Sequence, residues 1–173
     1  MGLMDTGLAV FRVLESTPGV LRGIVEVATD DELTWRPSEE RWSIAMVLAH
    51  LADVEERGFL ARFRAIAEED NPFLPSYDQW ALFRERTGFD AREELARFEG
   101  QRSRTLAWLR GLPDELSART GRHEELGPIS FDNLLHEFAF HDLVHVRQAA
   151  ELYRSKAFYP RMGAFQGYYR INP

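Results

Sequence analysis

The chain has 173 residues, a formal net charge of −7 and no cysteine. That length suits one domain with a real core. The missing thiols exclude disulfides, a thiolate metal site and a cysteine nucleophile, and the acidic balance argues against an extended nucleic-acid surface. No run approaches the roughly 20 apolar residues that spanning a membrane takes, and no charged-then-apolar leader opens the chain. The expectation is a cytoplasmic protein with neither membrane nor nucleic acid as partner.

Residues 1–16 read as an N-terminal extension. Met1-Gly2-Leu3-Met4-Asp5-Thr6 fits the myristoylation pattern and Asp5-Thr6-Gly7 the aspartic-protease triplet. Both are short patterns, and the second needs paired β-lobes that nothing here suggests. Leu8, Phe11 and Leu14 suit a short apolar turn against the rest. The first predicted helix starts at Thr17-Pro18, a cap followed by proline in the first turn, and ends near Thr29-Asp30. A polar loop with Trp35 and Trp42 follows. Ser43 caps the second helix, whose inward stripe is Ile44, Val47, Leu51 and Val54; His50 lies on its flank. That helix ends near Ala67, and Pro72 and Pro75 enforce a loop.

A short helix is predicted over Asp78 to Arg86. Asp90 and Glu93 form a capping pattern for the third long helix, with Leu95, Phe98, Arg102, Leu106 and Leu109 inward and Gly111-Leu112-Pro113 as its stop. Arg102 interrupts this stripe. It reads as a surface residue whose stem snorkels, the alternative being a cation lining an anionic-substrate pocket. Ser130 opens the fourth helix. No strand pattern is evident. The fold class is therefore all-α, a four-helix bundle with long connections: residues 17–154 form the bundle and 155–173 an aromatic tail packed on it or on a dimer partner.

The fourth helix carries the chemistry. Leu134, Phe138, His141, His145, Gln148 and Leu152 recur at steps of four and three, the inward face of a bundle helix. Side chains four apart lie one turn apart and roughly 40° round, so His141 and His145 can reach one point. A third ligand from another helix would complete a site, and His50 is the candidate. Three neutral imidazoles suit Zn, Ni or Fe and leave open positions for water or substrate. The plainer alternative is two buried, hydrogen-bonded histidines and an unrelated surface His50. His136 points elsewhere on the helix and should face solvent. His123, in the last connection, is a candidate for the pocket mouth. Asp53 is the better-placed partner for a ligating imidazole and Asp142 a weaker one. Gln148 bonds an imidazole, lines the cavity or specifies packing.

Thr17-Pro18, Trp42-Ser43-Ile44, Ala49-His50-Leu51-Ala52-Asp53-Val54-Glu55 and His141-Asp142-Leu143-Val144-His145-Val146-Arg147-Gln148 together resemble the DinB-like (DinB/YfiT) superfamily. The resemblance spans roughly residues 17–154. It implies a four-helix bundle, often a homodimer, with a divalent metal held at the positions of His50, His141 and His145. Relatives with known activity include thiol-dependent S-transferases and a mycothiol-dependent maleylpyruvate isomerase. The leading expectation is a metal-dependent enzyme that activates a low-molecular-weight thiol, or a water, against a small-molecule substrate. A chain without cysteine would take its thiol from outside. A hydrolase using water alone and a non-catalytic metal-binding or stress-response protein are the competing readings.

Overall fold

Residues 8–173 are described by a computed structural model; the myristoylation-like and Asp-Thr-Gly patterns lie outside them. Helix α1 spans Leu8–Val27, followed by the short α2, Asp30–Thr34. Helix α3 is Ile44–Val54. It passes through a π-helical turn, Glu55–Leu60, into α4, Ala61–Glu68. After β1, Phe73–Leu74, and α5, Ala81–Glu85, comes the long α6, Ala91–Arg110. Strands β2, Thr120–His123, and β3, Gly127–Ser130, precede α7, Phe131–Ala157. Four long helices form the bundle, as the periodicity predicts.

Three local readings are corrected. The first helix does not start at Thr17: it begins at Leu8 and runs through Pro18, with Thr17 Oγ1 donating back to the Val13 carbonyl at 3.0 Å. Val10, Phe11 and Leu14 are buried with the bundle core, which outweighs the helix-breaking tendency of one proline. Second, a small sheet of order β1-β2-β3 exists, β1 parallel to β2 and β2 antiparallel to β3. Strands of two to four residues are too short for alternation to show. Third, the second helix carries the π-turn. Its apolar stripe steps from Val54 to Phe59 before continuing to Phe63 and Ile66, and that five-residue step is the one extra residue of a π-bulge. Gly58 sits inside the turn, where a Cβ would come within 2.9 Å of Val54 Cγ2.

The core divides into two apolar clusters. One gathers Val10 to Leu14 of α1, Val54 to Ile66, Leu106 and Leu109 of α6 and Phe131 to Ala139 of α7. The other gathers Leu21 to Ala28, Ile44 to Ala52, Ala91 to Phe98, and Ala149 and Leu152. Along α3 and α6 the order of the clusters is the reverse of that along α1 and α7. So α1 and α7 run one way and α3 and α6 the other. The chain from α4 to α6 must cross the length of the bundle, and β1 and α5 lie on that crossover. Each helix changes cluster at the same level, and there the buried residues are polar: Thr17, His50, Asp53, Glu55, Gln101, Arg102, Thr105, Asp142 and His145. Such residues are rarely enclosed without partners. This layer holds the site.

Candidate metal centre

Ser43 caps α3 by accepting from the Met46 amide, which sets the helical phase that turns His50 inward. Ser130 and Asn133 form a reciprocal capping box at the start of α7, phasing His141 and His145. The outcome is convergence: one ring nitrogen from each of His50, His141 and His145 lies within 4.8 Å of the other two. His50 Nε2 is 3.3 Å from His141 Nε2, and His145 Nε2 is 3.2 Å from it. Two nitrogens bound to one tetrahedral zinc at its usual bond length stand about 3.3–3.4 Å apart, so the spacing suits a shared cation.

The hydrogen-bond inventory makes the same point. His145 Nδ1 is 2.8 Å from Gln148 Oε1, an oxygen that can only accept. The proton is therefore on Nδ1, and Nε2 turns a bare lone pair toward the cluster. His50 and His141 likewise turn Nε2 into the cluster. One ring N–H inside the cluster cannot serve two neighbours at once, so protons alone leave imidazole nitrogens unsatisfied. His50, His141 and His145 are the residues that would hold a cation, which would engage lone pairs that protons cannot all satisfy. The donor set, all nitrogen, suits a borderline transition metal better than calcium or magnesium, which take oxygen.

The electrostatics agree. Burial, then the neighbouring imidazoles His145 and His141, hold His50 far below the usual histidine value, at about 2. Burial, then His145 and the Arg102 cation, bring His141 to about 3. His145 is also lowered by burial, opposed by its bond to Gln148. All three are neutral, the form that ligates. The Trp42 ring lies nearly parallel to that of His145, centroids 6.1 Å apart at 11°, and 4.8 Å from the His50 ring. Phe59 presents an edge to His141 at 5.3 Å. Gln148→Ala is expected to lower metal affinity about 10–100-fold with little change in fold, read by competition against a chromogenic chelator.

Other candidates fall elsewhere. His136 is exposed and bonds the Asp132 carbonyl, as its position predicts. His123 is buried in β2, where its Nδ1 accepts from the Glu125 amide; it is not part of the histidine cluster. Asp53 does not support His50, because its carboxylate is taken by Arg57 and by the Tyr77 hydroxyl.

Arg102 is the largest revision. It is only 2% exposed, not a snorkelling surface residue. Its Nη1 and Nη2 grip Asp142 at 2.6 and 2.9 Å, Nε donates to Glu55 at 3.0 Å, and Nη1 also reaches the Leu14 carbonyl at 2.7 Å. That carbonyl would receive the amide of residue 18 in an unbroken helix, and Pro18 has none. Phe98 and Phe138 each lie 4.7 Å from the guanidinium. One side chain thus ties α1, the π-turn, α6 and α7 together, directly behind His141. Its stripe-breaking position was the visible signal; its three partners come from other helices.

Burial raises Glu55 to about 7, with Arg102 and Thr105 opposing. Between the ordinary carboxylate value of 4.5 and about 7 the folded chain therefore holds a proton that the unfolded chain has released. Stability from this group is present below that window and lost as pH rises through it. Glu55→Gln is expected to gain in stability relative to the parent from pH 4.5 to about 7, measured as the difference between urea-unfolding curves.

A four-helix bundle with three imidazoles converging in its polar layer defines a class of candidate metalloproteins. The family model described as the DinB superfamily matches residues 14–149, and the chain belongs to that superfamily. It is 30% identical over 146 residues to the protein named "Putative metal-dependent hydrolase YfiT" from Bacillus subtilis (strain 168), covering 83% of this chain and 82% of that one. It is 27% identical over 145 residues to the like-named OB0782 of Oceanobacillus iheyensis, covering 83% of each. The solved structure of YfiT, described as having an unusual four-helix bundle topology, superposes with a TM-score of 0.74 at 29% identity over 85% of both chains. A second four-helix bundle protein, TT2238, gives 0.58 at 21% identity, covering 82% of this chain and 96% of that one, a likeness of fold. Among the described residues no helix is long and apolar enough to cross a membrane.

Proposed function

We propose that this protein is a metal-dependent enzyme acting on a small electrophile, with His50, His141 and His145 holding a divalent cation and a water or low-molecular-weight thiol as nucleophile. The observation that carries this reading is the convergence of three neutral ring nitrogens within 4.8 Å. A cation bound there supplies Lewis acidity and lowers the pKa of a water or thiol that joins it. The chain's own residues prepare the place. Gln148 holds the His145 tautomer, Trp42 and Phe59 cover the imidazoles against bulk water, and the Arg102–Asp142 pair anchors the turn of α7 that carries His141. The histidine cluster includes no carboxylate, so the nucleophile's activation falls to the cation.

Water is favoured by the names of the relatives YfiT and OB0782, each called a "Putative metal-dependent hydrolase". A thiol is favoured by the resemblance to thiol-dependent transferases and by a chain that has no cysteine of its own. The test is metal content of protein purified without chelator or affinity tag, followed by one panel of activated esters, epoxides and alkyl halides assayed with and without added thiol. The expected result is metal-dependent turnover. A strict need for thiol assigns a transferase, and thiol-independent turnover a hydrolase. Protein that neither carries metal nor binds Zn or Ni on titration overturns the site. Bound metal without turnover of any pair returns the reading to a non-catalytic metal-binding protein.

A further inference from the structure

A cavity of about 610 Å³ opens beside the imidazole cluster, with His145, Gln148 and Trp42 in its wall and four arginines, Arg41, Arg147, Arg154 and Arg170, around it. That volume is in the range that holds small organic ligands. The sign of the charge is unusual for a chain of net −7. Two carboxylates, Glu40 and Glu151, also line the cavity, and both are engaged. Glu40 accepts from the Ser38 hydroxyl at 2.9 Å, and Glu151 is held by Arg154 and by the Asn172 amide.

Of the remaining cations, two have no such match. Arg41 donates to oxygens of Asn172 and Pro173 and to the Asn172 side chain, so it is committed to the tail. Arg147 and Arg170 have no ion-pair or side-chain hydrogen-bond partner among the described residues, although the backbone oxygen of Arg170 is fixed by Arg154 at 3.2 Å. Unpaired guanidiniums in a concave site raise the local concentration of anions and bind carboxylate or phosphate in a two-pronged way. The indoles of Trp42 and Trp80 form the apolar part of the wall.

We propose that this cavity selects substrates carrying an anionic group, carboxylate or phosphate, on a compact apolar body, with Arg147 and Arg170 as the residues that contact the anion. This rests on the metal-dependent reading for its catalytic meaning, since the anion would lie beside His145. The binding itself does not require the metal. Arg41 and Arg154 act differently: they clamp the segment Arg170 to Pro173 along the cavity edge, which places Arg170.

The test uses the full chain and four probes of similar size: benzoate, phenyl phosphate, benzamide and benzylammonium, followed by tryptophan fluorescence and calorimetry at low ionic strength. Benzoate or phenyl phosphate should bind at least about tenfold more tightly than benzamide, the value of one charge-assisted hydrogen bond, and benzylammonium weakest. Arg147→Ala and Arg170→Ala should each weaken the anions about tenfold, and Arg147→Lys should recover part of the loss. The preferred anion of the two assigns the chemical class. Equal affinity for benzoate and benzamide, no anion binding, or unchanged affinity in both alanine variants overturns the proposal.

His50 lies outside the cavity wall, so His50→Ala separates the two ideas. If that variant and the parent both lack metal but bind benzoate, the metal reading fails and this one stands. If the parent holds metal and ignores all four probes, only this one fails.

Discussion

In thermal unfolding at pH 7, zinc or nickel is expected to raise the Tm of the parent protein and to leave that of His50→Ala unchanged. A ligand that binds only the folded state stabilises it by RT ln(1 + [L]/Kd), about 4 kcal/mol when the free metal is 1,000 times Kd. For a chain of this size that corresponds to a rise of roughly 8–16 °C. His50 is the decisive position because it is the single member of the histidine cluster from α3, while His141 and His145 share α7. Removing it leaves two imidazoles on one helix, a pair whose Kd should lie well above the free metal, so the stabilisation vanishes. A Tm rise of the same size in His50→Ala would mean that metal is bound elsewhere.

Arg102→Met should lower stability by about 3–5 kcal/mol, the usual result of leaving a buried charge without its partner. That is a fall of roughly 6–20 °C in Tm. Asp142 and Glu55 are both fully buried; Asp142 would lose its countercharge, and Glu55 and the Leu14 carbonyl would lose the donor that joins four segments. Arg102→Lys should recover little, because one ammonium cannot reach Asp142 with two parallel bonds while serving Glu55 and the Leu14 carbonyl. The informative companion is the variant with Arg102→Met, Asp142→Asn and Glu55→Gln together. Neutralising the whole set should restore much of the loss, where a purely steric role for the arginine would predict no recovery. Chemical denaturation of the four proteins gives the answer directly.

The site was legible in the sequence to different depths at different residues. His141 and His145 come from one helix, and helical geometry alone aims side chains four apart at one point. His50 required the phase of a second helix; the stripe Ile44, Val47, Leu51 and Val54 put it on the flank, and the family resemblance matched it to the third position. Gln148, one turn below His145, was legible for the same reason, and it does bond that imidazole. Asp53 was misplaced by the same reasoning. It stands near His50 along the helix, yet Tyr77 from the crossover loop and Arg57 compete for its carboxylate. Periodicity says which side a residue faces and nothing about which distant donor arrives there first.

The sequence by itself determined four amphipathic helices, the caps at Ser43, Asp90 and Ser130, and two imidazoles aimed at one point, because each follows from interactions within about four residues of chain. Only the tertiary structure decided what the polar residues meet. The Leu14 carbonyl freed by Pro18 finds Arg102, 88 residues away, and the same guanidinium finds Asp142, 40 residues further along. The small sheet belongs to this second kind too, since β1 and β2 come from different connections. Arg147 and Arg170 meet around one cavity only because the tail folds back over α7. Local rules set the faces, and long-range packing chose the partners, because enclosing a charge is tolerable only where the whole fold brings its counterpart.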